Sequence, residues 1–162
     1  MTRRRQCDAR QVDKHGRIGV AKSHDIHQEL FVVRVAGNIA DPRCFGVLGS
    51  LEYAVEELHV PLIVVLGHEG CGAVKAAIRV VHEKIVLPGA IAMIAAAIQP
   101  TVEALSSSSD TLLPKAVAAN VEASVRELKA NEEILTPRIK SGEVGIVGAV
   151  YDLKSGLVRL LP

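Results

Sequence analysis

"LIVVLGHEGCGAVKAA", residues 62–77, carries three patterns in succession. Its first five residues are apolar without a break, which is expected of a strand covered on both faces, as in a parallel sheet with helices above and below. Gly67, Gly70 and Gly72 then frame His68 and Cys71 in a turn. From Gly72 the apolar positions Val74, Ala77, Ile78 and Val81 fall on one side of a helix that runs to about Glu83. A buried strand that hands over to a helix is the start of a βα unit. In open α/β sheets, ligands gather beyond the carboxyl ends of such strands, so this turn is a candidate site by position alone.

The same alternation extends in both directions. Upstream, "LFVVRV" is a β-branched run closed by Ala36, Gly37 and Asn38, which predicts a strand ending in a turn. Leu51, Ala54, Val55 and Leu58 are spaced for a helix over 50–58, with Ser50 or Gly49 as its cap. Downstream, a helix is expected from Pro88 to about Leu105, a long amphipathic one from Leu113 to Ala130, and a shorter one from Glu132 to Lys140. "SSSSD" between the first two reads as a solvated loop. "VGIVGAVYDL" returns to strand, and "KSG" before "LVRLL" signals a hairpin. The whole predicts an α/β fold, a mainly parallel central β-sheet flanked by helices, with an antiparallel C-terminal edge strand. Residues 1–29 show no sustained period and predict a divergent, mobile N-terminal arm, leaving 30–162 as the α/β domain.

Composition narrows the class of function. The 162 residues suit one domain. Nineteen Lys and Arg against eighteen Asp and Glu leave a formal charge of +1, so no nucleic-acid partner is expected, although Arg3, Arg4 and Arg5 crowd the start. No apolar run approaches the roughly 18–20 residues that span a bilayer, and residues 1–11 lack the apolar core of a secretory signal. Three widely separated cysteines, Cys7, Cys44 and Cys71, make a poor disulfide framework and predict a cytoplasmic protein.

At the turn itself, Cys71 would stand at a helix N-terminus, where free amides and the helix dipole favour a thiolate. His68 would supply a neutral imidazole three residues earlier. Thiolate plus imidazole is a zinc-type pair. Spacing alone leaves other readings open, because zinc needs three or four protein ligands and a cysteine is often only a small buried apolar residue. G-x-x-G-x-G before a helix is also compatible with a phosphate cradle, although the glycine spacing differs from the dinucleotide fingerprint.

"FVVRVAGNIADP", "GSLEYAVEELHV" and "LIVVLGHEGCGAV", in that order and spacing, resemble the middle of β-class carbonic anhydrases. "PGAIAMIAAAIQPTVEAL", "AVAANVEASVRELK" and "GIVGAVYDLKSGLV" resemble that family's C-terminal half, so the likeness covers about Leu30 to Leu161. The resemblance implies reversible hydration of CO2 to bicarbonate by a zinc-bound hydroxide, with CO2/bicarbonate or another small anion as ligand. It makes His68 and Cys71 two zinc ligands. The third is a cysteine in a C-x-D-x-R motif, whose aspartate and arginine form a dyad that orients the water or gates the fourth position. Family members assemble through dimers, partly by exchanging N-terminal arms, so a homo-oligomer held by apolar helix and strand surfaces is expected.

The first motif departs from the family pattern. Its one candidate, "QCDARQV", is a residue short: aligning on Cys7 puts Ala9 at the aspartate, and aligning on Asp8 and Arg10 puts Gln6 at the ligand. In the family that cysteine ends a central strand, a role three successive arginines cannot share without severe desolvation. The N-terminal strand and helical arm are therefore expected to be lost or replaced. Two readings follow. In one, Cys7 completes the zinc site, Asp8 and Arg10 approximate the dyad, and the chain is an enzyme. In the other, His68 and Cys71 are remnants in a non-catalytic oligomeric scaffold or anion-binding protein. Cys44, six residues after the "AGN" turn, is an alternative third ligand without family support. His15, His24, His27, His59 and His82 are expected on the surface.

Overall fold

The computed structural model describes residues 30–41, 44–105, 111–131 and 133–162. A 3-10 turn, Ala36–Asn38, precedes helix α1 (Phe45–Glu56), strand β1 (Leu62–His68), and helices α2 (Gly72–Glu83), α3 (Gly89–Glu103), α4 (Leu112–Lys129) and α5 (Leu135–Lys140). Strands β2 (Gly145–Tyr151) and β3 (Val158–Leu160) close the chain. The sheet order is β1-β2-β3. β1 and β2 are parallel, in register from Leu62 opposite Gly145 to His68 opposite Tyr151, whereas β3 returns antiparallel with Ala149 opposite Leu160. The α/β class, the parallel pair and the antiparallel edge all match the sequence reading.

The core lies between one face of β1–β2 and α4. Ile63 and Val65 from β1, Ile146 and Val150 from β2, and Val117, Val121 and Leu128 from α4 are all buried in one cluster. Each such side chain contributes on the order of 1.5–3 kcal/mol when withdrawn from water. Two glycines let the helix come this close. A Cβ on Gly67 would lie 2.5 Å from Val121 Cγ2, and one on Gly148 would lie 2.9 Å from Val121 Cγ1. α2 and α3 pack against one another beside this layer, with Ala77 and Ala95 almost without exposed surface.

Four expectations change. "LFVVRV" pairs with no strand among the described residues: Val35 is extended (φ −138°, ψ 155°), yet the segment joins no ladder there, and among those residues Leu30 and Val32 stay more than 60 % exposed. β-Branched composition readies a chain for pairing, but a strand exists only with a hydrogen-bonded neighbour. Phe31 instead meets the ring of Tyr53 on α1 at 6.4 Å.

The second change concerns β1, which among the described residues is covered on one face only. Leu62, Val64 and Leu66 are 41–50 % exposed while Ile63 and Val65 are buried, and among the described residues β1 has a strand partner on one edge alone. Continuous apolarity marked what the strand can bury, and nothing among the described residues covers the second face.

The third and fourth changes are helix boundaries. α1 starts at Phe45, before Gly46 and Gly49, and Ser50 lies inside it, where its Oγ donates to Gly46 O at 2.6 Å. α5 starts late, because Asn131 Oδ1 accepts from the amides of Ile134 and Leu135, both at 3.2 Å, with Glu133 and Ile134 in a turn. Among the described residues no helix is long and apolar enough to cross a membrane.

Candidate metal centre

β1 ends at His68, and Cys71 is the residue that caps α2, so the structure sets both in one short turn between strand and helix. Two features make the turn. Glu69 N donates to Tyr151 O at 2.9 Å, which carries the β1–β2 ladder one residue past the strand. Gly70 then takes φ +70°, a left-handed conformation that a side chain would strain. The chain thereby reverses into α2, whose first hydrogen bond runs from Lys75 N to Cys71 O at 3.0 Å.

The two side chains sit in different surroundings. His68 is exposed, and its Nδ1 lies 3.0 Å from Glu69 O. A carbonyl oxygen only accepts, so Nδ1 carries the proton, and in the neutral ring Nε2 keeps its lone pair for a ligand or metal. A backbone carbonyl on the far nitrogen is the arrangement that orients metal-binding histidines. Cys71 is 4 % exposed and belongs to the apolar cluster, at the helix end where backbone amides are free. One imidazole with its Nδ1 beside a backbone carbonyl and one sulfur are donors suited to zinc.

These two donors do not make a complete site. Among the described residues no three His, Cys, Asp or Glu side chains converge as a metal would require, and Cys44, exposed at the start of α1, does not join His68 and Cys71 in such a group. His59 and His82 are exposed, as expected. Cys7, Asp8 and Arg10, together with His15, His24 and His27, lie outside the described residues.

A polar network beside the turn went unread in the sequence. Asn120, 4 % exposed on α4, donates from Nδ2 to Gly37 O at 2.7 Å and to Asn38 Oδ1 at 3.4 Å. Ser124, 5 % exposed and one helical turn on, donates from Oγ to Asn38 O at 2.8 Å. Asn38 Nδ2 approaches Ser124 Oγ at 3.4 Å. The available signal was an i, i+4 pair of polar residues inside the apolar stripe of Ala116, Val117, Val121 and Leu128. An open cleft of about 470 Å3 adjoins the network between Ile39, Ala97, Pro100 and Glu127, and neither His68 nor Cys71 lines it.

Comparison with known proteins places the chain in a family. The family model described as carbonic anhydrase matches residues 21–158. A carbonic anhydrase of Mycolicibacterium smegmatis is 37% identical over 132 residues, covering 82% of this chain and 63% of its own length. Carbonic anhydrase 2 of Mycobacterium tuberculosis is 37% identical over 128 residues, covering 79% and 60% respectively. The chain therefore spans about three-fifths of these relatives. Among solved structures, the Coccomyxa β-carbonic anhydrase in complex with acetazolamide superposes with a TM-score of 0.70 at 31% identity, over 81% of this chain and 60% of that one. The α/β layers, the order of motifs and these matches agree that the chain belongs to the β-class carbonic anhydrase family.

Proposed function

We propose that the chain binds zinc through His68 and Cys71 and serves the family reaction, reversible hydration of CO2 to bicarbonate. The observation that carries this reading is the turn itself, with an imidazole whose Nδ1 is occupied by the Glu69 carbonyl three residues before a buried sulfur at a helix start. Bound zinc would supply Lewis acidity, lowering the pKa of a water molecule to about 7. The chain's part is to present Nε2 and Sγ in fixed orientation. With Cys44 set aside, Cys7 is the remaining cysteine for the third position. Asp8 and Arg10 would then approximate the dyad.

A second reading is favoured by the one-residue deficit in "QCDARQV": a non-catalytic, carbonic anhydrase-like oligomer or anion-binding protein with an incomplete zinc site. Two donors without a third hold zinc weakly. Zinc content and CO2 hydration of the full chain, measured for wild type and Cys7→Ser, separate the two. About one tightly held zinc per chain, lost in Cys7→Ser together with hydration, supports the enzyme. Substoichiometric zinc without hydration supports the scaffold, and unchanged zinc in Cys7→Ser removes that residue from the site.

Homo-oligomer formation is part of the same proposal. It is supported by the apolar face of Leu62, Val64 and Leu66, which no other described residue covers and which a second copy would bury. A cytoplasmic location is supported by the cysteine pattern.

A further inference from the structure

We propose that Asn120 and Ser124 are positioning residues for the His68–Cys71 pair, acting through the turn at Gly37 and Asn38; their effect on metal binding rests on the zinc reading above. That turn is a wedge set on both sides of the candidate centre. On the strand side, Asn38 Oδ1 lies 3.6 Å from where a Cβ of Gly67 would stand, one residue before His68. On the helix side, a Cβ of Gly37 would stand 3.1 Å from Ala73 Cβ, two residues after Cys71, and 2.8 Å from Ile98 Cδ1. The wedge therefore lies against both the end of the strand and the first turn of the helix, on either side of the His68–Cys71 turn.

The wedge has an unfavourable backbone of its own. Gly37 has φ +73° and Asn38 φ +44°, the left-handed region that a non-glycine residue adopts at a cost. It carries two carbonyls in a row, at Gly37 and Asn38, that join no sheet ladder among the described residues. Asn120 Nδ2 meets the first at 2.7 Å and Ser124 Oγ the second at 2.8 Å. Both donors are more than nine-tenths buried, on a helix whose neighbouring Val117 and Val121 touch the Cβ position of Gly67. One helix thus fixes the strand end directly and the wedge by hydrogen bonds. Buried donors inside an apolar stripe are costly unless their geometry is satisfied, and here the partners are the backbone of this one turn.

The test compares the full chain of wild type with Asn120→Ala, Ser124→Ala and Ser124→Thr, which keeps the hydroxyl. Leu135→Val, a buried truncation on α5, controls for general loss of stability. Two readouts are taken, amide hydrogen exchange across residues 67–73 and cobalt(II) titration followed by thiolate-to-metal absorption. The expected result is that the two alanine variants exchange at least about tenfold faster over 67–73 than Leu135→Val at equal midpoint loss. They also bind cobalt at least about tenfold more weakly, and Ser124→Thr restores both. If exchange over 67–73 and cobalt affinity in the alanine variants merely track Leu135→Val, the proposal is overturned. Should wild type bind no cobalt, the zinc reading fails on its own, and the exchange data decide: acceleration confined to 67–73 supports the positioning role, and uniform acceleration overturns it.

Discussion

Replacing Gly67 by alanine tests the idea that α4 seats directly on the strand that carries His68. The new methyl would stand 2.5 Å from Val121 Cγ2 and 3.4 Å from Val117 Cγ1, the first well inside van der Waals contact. Gly67 does not have positive φ, so the cost is steric rather than a backbone penalty. Val121 has no exposed surface and lies inside a helix, where a β-branched side chain has one strongly preferred rotamer, so it cannot swing aside cheaply. Overpacking of this kind costs about 1–3 kcal/mol.

A double-mutant cycle with Val121→Ala isolates the clash, since that change removes the methyl being struck. Urea unfolding at one fixed protein concentration should show Gly67→Ala destabilising by about 1–3 kcal/mol alone. In the Val121→Ala background the same change should cost less, with a coupling of at least about 0.5 kcal/mol. Additive behaviour, or a Gly67→Ala variant as stable as wild type, would refute the close seating of α4 on β1.

Two further outcomes follow from the surface. Val64→Lys, which puts a charge in the middle of the face of β1 that no other described residue covers, should lower the sedimentation-derived mass of the protein without unfolding it; wild type sedimenting as a monomer at micromolar concentration contradicts an interface there. Arg138 joins α5 to α1 through Glu56 at 2.8 Å and also pairs with Glu143, whose carboxyl is held below the usual range by the Ser141 hydroxyl and by Arg138. A depressed carboxylate stabilises the fold above its ordinary value and loses that contribution as pH falls through the lowered one. Thermal melts should therefore show wild type losing more of its advantage over Arg138→Gln below about pH 4 than at neutrality; a pH-independent difference would contradict the clamp.

The parts legible in the sequence were those whose signal is local. The helix from Gly72 to Glu83 was placed to the residue, because a glycine turn fixed its start and a clear apolar stripe its length. The parallel β1–β2 pair and the returning β3 followed from apolar runs separated by helices and from "KSG". Signals that depend on a distant partner were read less well. Among the described residues "LFVVRV" has strand composition without a ladder, and "LIVVL" has the apolarity of a doubly covered strand with one face left uncovered. In "FGVLGS" two glycines disguised the start of α1. At the candidate centre, the sequence singles out His68 and Cys71 because both donors stand in a glycine-framed turn between an apolar run and a helix, and the structure sets both in that turn. Asn120 and Ser124 are not singled out, since a polar residue in a helix declares its role only when the loop it holds, more than eighty residues away in sequence, is in place.

The central claim is that the imidazole of His68 and the sulfur of Cys71 bind one metal ion. Zinc-edge X-ray absorption on the zinc-loaded full chain measures this directly. The account predicts sulfur scatterers at about 2.3 Å and imidazole nitrogen at about 2.0–2.1 Å, with one sulfur lost in Cys71→Ser and the imidazole pattern lost in His68→Ala. Zinc whose shells are unchanged by both substitutions would contradict it.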